Sequence, residues 1–233
     1  MKIAIISDIH GNLPALEAAL HRIDEISVDL IHCLGDTVGY GPFPDECVSV
    51  VRDRCHVVLK GNHDSGLVGE TSLTDFNQYG VAALRWTLPH VSEENLEFLR
   101  SLPFTVEENG VTLAHATPFE PEGWDYILTI RAAQRAFGAF TTPLCFIGHT
   151  HVPVIIGANN TINAYTPGGR FVINVGSIGQ PRDGNPAAAF GLYDTETAAY
   201  ELIRVPYDIE RTATAIEKAG LPEFLARRLF QGT

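Results

Sequence analysis

Five times along this chain, a short apolar run ends in residues that can ligate a metal. Ile3 to Ile6 leads to Asp8-Ile9-His10, and Leu30 to Leu34 leads to Gly35-Asp36. Val57-Val58-Leu59 leads to Gly61-Asn62-His63-Asp64, Val111 to Leu113 leads to Ala114-His115, and Leu144 to Ile147 leads to Gly148-His149-Thr150-His151. Runs that are apolar throughout read as strands buried on both faces. Loops at the carboxyl ends of such strands are where α/β folds place their chemistry. Five strand ends that all deliver carboxylate, carboxamide or imidazole groups predict one dinuclear metal centre.

Taken alone, each signal has a plainer explanation. Asp8 could cap a following helix, Asp36 and Asn62 could be ordinary turn residues, and His115 could be a hydrogen-bonded loop histidine. Gly148-His149-Thr150-His151 is sharper, because two imidazoles two apart on an extended segment can converge on a metal pair. The conjunction of all five carries the reading. Oxygen and imidazole donors without thiolate suit Mn²⁺, Fe or Zn²⁺, with Ni²⁺ and Co²⁺ as further candidates.

The rest of the chain reads as α/β. Leu13, Leu16, Ala19, Leu20 and Ile23 follow helical spacing between the first two strands, giving a βαβ unit. Asp45 to Arg54 reads as a helix and His56 to Lys60 as a third strand. Thr71 to Leu102 reads as mostly helical, broken at Pro89. Asn109-Gly110 is a hairpin signal between Phe104–Glu108 and Val111–His115. Arg131 to Phe140 reads as a helix. Strands are expected at 144–147, 152–156, 161–165 and 171–174, then an antiparallel pair at 187–194 and 199–205. Helices at 208–219 and 222–230 close the chain. At 233 residues and 45% hydrophobic content, a single domain over 1–233 is expected.

The net charge of −12 argues against a surface for polymeric nucleic acid. A small anionic substrate stays compatible with it, since bound cations reverse the local field. Four cysteines without CxxC spacing read as small buried hydrophobes. The apolar run at the N-terminus is too short for a signal segment or a membrane span. A cytoplasmic protein with no membrane association is the expectation.

In order, the five blocks resemble the calcineurin-like metallophosphoesterase superfamily, whose pattern is DxH, GD, GNH(D/E), H and GHxH. The later run Asn174-Val175-Gly176-Ser177-Ile178-Gly179-Gln180-Pro181-Arg182 is similar to the small prokaryotic predicted-phosphodiesterase branch. The resemblance implies a four-layer α/β/β/α sandwich with two divalent metal ions at one edge, Mn²⁺ foremost. Position by position, it implies that Asp8, His10 and His151 hold one metal, that Asn62, His115 and His149 hold the other, and that Asp36 bridges them. Two metals about 3.5–4 Å apart clamp phosphoryl oxygens and activate a water as nucleophile. His63 would protonate the leaving oxygen or stabilise its developing charge. Asp64 would orient His63 or cap the next helix.

The chain departs from the Ser/Thr protein phosphatases, which extend the second block to GDxxDRG and end the third in Glu. Here the second block is Gly35-Asp36-Thr37-Val38-Gly39-Tyr40-Gly41 and the third ends in Asp64. Neither protein phosphatases nor symmetrical diadenosine tetraphosphatases are matched closely. Asn12, Tyr40 and Arg182 are candidates for substrate binding, Arg182 first because guanidinium suits phosphate. Trp124 and Tyr126 could stack on a base or aryl group, or pack within an exposed loop. The expected function is hydrolysis of a small phosphoester, a phosphodiesterase acting on a nucleotide-type or dinucleoside polyphosphate substrate. A phosphomonoesterase is the alternative, and a non-catalytic scaffold of the same fold the third reading.

Overall fold

The structure is a computed structural model that describes all 233 residues. Ten strands form two five-stranded sheets. The first contains β1 (Lys2–Ile6), β2 (Leu30–Cys33), β3 (Val57–Val58), β9 (Ala188–Asp194) and β10 (Ala199–Val205), in the order β10-β9-β1-β2-β3. The second contains β4 (Thr105–Glu108), β5 (Val111–Ala114), β6 (Leu144–Ile147), β7 (Val154–Gly157) and β8 (Phe171–Asn174), in the order β4-β5-β6-β8-β7. β1, β2 and β3 pair in parallel, as do β5, β6 and β8, while β4, β7, β9 and β10 run antiparallel to their neighbours.

Both faces of each sheet are covered, which explains the mainly apolar runs. Between the sheets, Ile3 and Ile5 of β1 meet Leu113, Phe146 and Ile173. On the outer face of the first sheet, Ala4 and Ile6 pack against α1 (Leu13–Ile26), α2 (Pro44–Arg54) and α5 (Glu93–Ser101). Cys145, Ile147 and Val172 of the second sheet pack outward on α6 (Ile130–Phe137). The layers run helix, sheet, sheet, helix, as expected. A further cluster joins α4 (Gln78–Thr87), α7 (Ile209–Lys218) and α8 (Glu223–Gln231) around Tyr40. No helix is long and apolar enough to cross a membrane.

Three expectations change. Residues 161–165 form no strand: Asn160 and Asn163 take left-handed backbone angles, leaving only an isolated bridge between Ile156 and Ile162. A short helix, α3 (Asn62–Leu67), begins at Asn62 itself. Residues 71–77 lie outside α4 apart from one 3₁₀ turn, because the Asn77 side chain accepts from Tyr79 N–H and Gly80 N–H and fixes the helix start there.

The parallel strands of both sheets point their carboxyl ends the same way. The loops after β1, β2, β3, β5, β6 and β8 therefore gather at one edge of the sandwich.

Candidate metal centre

Asp8, His10, Asp36 and His151 bring one donor atom each to a single cluster, and Asp36, His115 and His149 form a second. Asp36 belongs to both. Its Oδ1 accepts the His63 backbone N–H at 2.8 Å. Its Oδ2 lies 3.6 Å from His10 Nε2 and 3.5 Å from His115 Nε2. One carboxylate oxygen is thus tied to the protein while the other faces both clusters.

Backbone carbonyls fix the direction of three imidazoles. The Nδ1–H groups of His10, His115 and His151 donate to the carbonyls of Val38, Leu34 and Gln180. Their Nε2 lone pairs are left facing inward, the usual arrangement for a ligating histidine. His10 Nε2 lies 3.1 Å from His151 Nε2, and His115 Nε2 lies 3.2 Å from His149 Nδ1. Two pairs of converging nitrogens call for a positive ion or a proton between them.

The carboxylate and carboxamide groups agree. Asp8 Oδ2 accepts the His149 backbone N–H at 2.9 Å, whereas buried Asp8 Oδ1 has no hydrogen-bond partner and lies 3.3 Å from His151 Nε2. Asn62 Oδ1 is also buried and unpartnered. Unsatisfied buried oxygens are costly unless something else claims them. Divalent cations fit this donor set of hard oxygens and imidazoles, with no thiol among them.

The backbone takes an uncommon route to this convergence. Asp8, His10, Asp36, His149 and His151 all have φ between 51° and 65°, in the left-handed region. Such angles cost non-glycine residues free energy, and they turn each side chain back toward the site immediately after its strand. Close approach also explains Gly148, where a Cβ would collide with Ser7 Oγ and Asp8 Oδ2.

Burial sets the charge states. It pushes the imidazoles of His63 and His149 down to about 4 and about 3, and holds His10 and His151 below the usual range as well. His115 goes the other way: burial opposes its charge, but the Asp36 and Asp8 carboxylates raise it to about 9. Against the cost of burial, the neighbouring histidines hold Asp8 and Asp36 below the usual carboxylate range.

His63 is buried beside the centre, its ring 4.8 Å from that of His10 and 4.5 Å from that of Tyr40. Its Nδ1 has no partner. Asp64 makes no hydrogen bond to the His63 ring. Its carboxylate accepts four backbone N–H groups, from Asp36, Gly61, Thr37 and Val38. Of the two roles left open for Asp64, the geometry corresponds to capping: it joins the start of α3 to the Asp36 loop. Asn12, expected to contact substrate, is spent internally. Its amide donates to Gly179 O and Tyr207 Oη, and its oxygen accepts from Ala15 N–H and Thr212 Oγ1.

A cavity of about 240 Å³ opens over the centre, lined by Asp36, Asn62, His63, His149 and His151, with Tyr40 and Arg182 on its wall. The Arg182 guanidinium is held by a 2.8 Å donation to Gln180 Oε1, with its Nε unpartnered. Tyr126 and Trp124 stand by the second cluster. The Tyr126 ring stacks on His149 at 4.0 Å, and Trp124 sets its edge against His115 at 5.9 Å. Asp75, Phe76 and Asn77 also line the cavity and carried no sequence signal, since they fall in a stretch patterned like helix.

Residues 1–198 match the model of the calcineurin-like phosphoesterase superfamily domain, and the chain belongs to that superfamily. It is a metallophosphoesterase. A metallophosphoesterase from Sphaerobacter thermophilus is 42% identical, with a TM-score of 0.89 over 100% of this chain and 99% of that one. An uncharacterized protein of Methanocaldococcus jannaschii is 41% identical over 241 residues, covering 99% of this chain and 98% of its own. The phosphodiesterase YfcE of Escherichia coli K12 is 26% identical over 209 residues, covering 84% and 89%.

Proposed function

We propose that the chain is a phosphodiesterase that hydrolyses a small diester at a centre of two divalent cations bridged by Asp36. The observation that carries this is the division of labour on Asp36, with one oxygen fixed by the His63 N–H and the other facing both donor clusters. Asp8, His10 and His151 hold one cation, and Asn62, His115 and His149 hold the other. Mn²⁺ is the first candidate, given the mixture of hard oxygens and imidazoles. Bound there, the cations supply Lewis acidity toward a phosphoryl oxygen and lower the pKa of a water.

The remaining chemistry belongs to side chains. Arg182 binds a non-bridging phosphoryl oxygen with a charged donor. Tyr40 packs on His63 and limits its motion. Buried His63, with its pKa pushed down to about 4, is a neutral N–H donor at physiological pH. In that form it stabilises charge developing on the leaving oxygen, and burial strengthens the interaction. Arg182 is the lone arginine or lysine on the cavity wall, which suits one phosphoryl group better than a polyphosphate. Four unpaired cysteines suit a reducing compartment, and we infer a cytoplasmic setting.

The test is hydrolysis of bis-p-nitrophenyl phosphate beside p-nitrophenyl phosphate, by chelator-stripped protein with Mn²⁺ added back. Restored activity that favours the diester is expected. A preference for the monoester would replace the phosphodiesterase reading with a phosphomonoesterase one.

A further inference from the structure

Beside His149 the cavity continues into a groove of about 370 Å³, lined by Thr71, Ser72, Asp75, Phe76, Glu122 and Trp124. The groove shares Asn62, Asp75, Phe76, Tyr126 and His149 with the cavity over the metal centre, so the two form one cleft. Two loops build its walls: residues 71–77 before α4, and residues 116–129 between β5 and α6. Trp124 Nε1 donates to Thr71 Oγ1 at 3.0 Å and ties the loops together.

Charge is unevenly distributed along this cleft, with Asp75 where its two parts meet. Arg182 stands over the metal centre, whereas no lysine or arginine lines the groove. Three carboxylates do. Glu70 is neutralised by buried Lys60, whose Nζ donates to it at 2.6 Å. Asp75 and Glu122 have no ion-pair partner. A second observation points to a ligand here. His149 is only 4% exposed and lines the groove, yet its Nε2 has no hydrogen-bond partner. With Nδ1 turned to the metal cluster, Nε2 carries the proton of the neutral ring and is an unused donor toward an ester oxygen.

Aromatic faces joined to unpaired carboxylates are the chemistry that recognises an organic cation. A further phosphate would be repelled by the same carboxylates. Resting on the phosphodiesterase reading above, we propose that the groove receives the second ester substituent of the substrate, and that this substituent is an alcohol carrying a protonated amine or quaternary ammonium group. The phosphoryl group lies between Arg182 and the metal centre, and the ammonium lies between Trp124, Tyr126, Asp75 and Glu122.

The test compares diesters with the same leaving group. On Mn²⁺-loaded protein, p-nitrophenyl phosphorylcholine is expected to have a kcat/KM at least about tenfold above that of p-nitrophenyl 3,3-dimethylbutyl phosphate, its uncharged isostere. In a D75N/E122Q double variant, whose exposed side chains leave the fold undisturbed, that ratio is expected to fall to about threefold or less. Equal rates for the two esters in the wild-type protein would overturn the proposal. So would a thymidine p-nitrophenyl diester cleaved faster than both, which would assign the groove to a nucleobase.

Calorimetry with phosphorylcholine and 3,3-dimethylbutyl phosphate separates this proposal from the reaction itself. If bis-p-nitrophenyl phosphate is not cleaved with any metal, the phosphodiesterase reading fails by itself. Phosphorylcholine binding about tenfold tighter than the isostere would still support the groove assignment, and equal binding would refute it.

Discussion

At the scale of the residue, the site is made by side chains whose backbone is bent out of its usual range. Asp8, His10, Asp36, His149 and His151 share a left-handed φ, so the chain turns at once where each strand ends in a candidate donor. His63 is separate from this set, and its replacement distinguishes chemistry from metal binding. His63→Ala is expected to lower kcat by at least about 10²-fold while leaving metal content unchanged. Turnover near the wild-type rate would remove His63 from the mechanism.

His32 gives a pH prediction away from the site. It is fully buried, neither ring nitrogen has a partner, and burial lowers its pKa from the ordinary 6.5. Below that pH the unfolded chain binds more protons here than the folded chain, so this residue subtracts stability as pH falls. His32→Leu is therefore expected to raise stability at about pH 8 and to raise it more at about pH 5, measured by urea denaturation. An equal gain at both pH values would contradict the assignment. Asp8, His10, Asp36, His115, His149 and His151, whose donor atoms the fold brings together, were legible in the sequence as donors at strand ends. The full internal hydrogen bonding of Asn12 was not, because Gly179, Tyr207 and Thr212 arrive from the far end of the chain.

At the scale of the element, strands were easier to read than the segments between them. A mainly apolar run states that both faces are buried, whatever covers them, and β1, β2, β5, β6 and β8 are legible that way, with only His32 and Thr112 interrupting β2 and β5. The hairpin at Asn109-Gly110 was legible too: both residues take positive φ, 51° and 76°. Gly110→Ala is expected to cost about 1 kcal/mol in urea denaturation with kcat unchanged. The turn lies at the opposite end of β5 from the metal centre, and no atom stands within 4 Å of the added Cβ. A large loss of activity would place that turn nearer the chemistry than the fold does. The helix expected over residues 71–77 does not form because Thr71, Ser72, Thr74, Asp75 and Asn77 favour caps and turns, and the Asn77 cap starts α4 only after them, leaving the loop to wall the cleft. α3 carries no periodic signal in the sequence because it spans only Asn62–Leu67 and opens on the polar Asn62-His63-Asp64-Ser65.

At the scale of the whole molecule, the two sheets act as one device. Each contributes parallel strands whose carboxyl ends meet at a shared edge. Asp8, Asp36 and Asn62 come from the first sheet, and His115, His149 and His151 come from the second. Neither sheet alone carries both donor clusters, so a metal bound there clips the layers together and stabilises the folded chain through binding. The antiparallel β9 and β10 extend the first sheet, and α7 and α8 close the side behind Tyr40.

Asp36 is the residue on which that assembly turns, and metal content is the most direct measure of it. Purified wild-type and D36N proteins would be loaded with Mn²⁺, freed of excess ion and assayed for metal per chain, with circular dichroism confirming the fold. The wild type is expected to hold about two ions per chain, as in other two-metal centres, and D36N to lose ions at both sites. Unchanged metal content in a folded D36N protein would contradict the bridging role and with it the dinuclear centre.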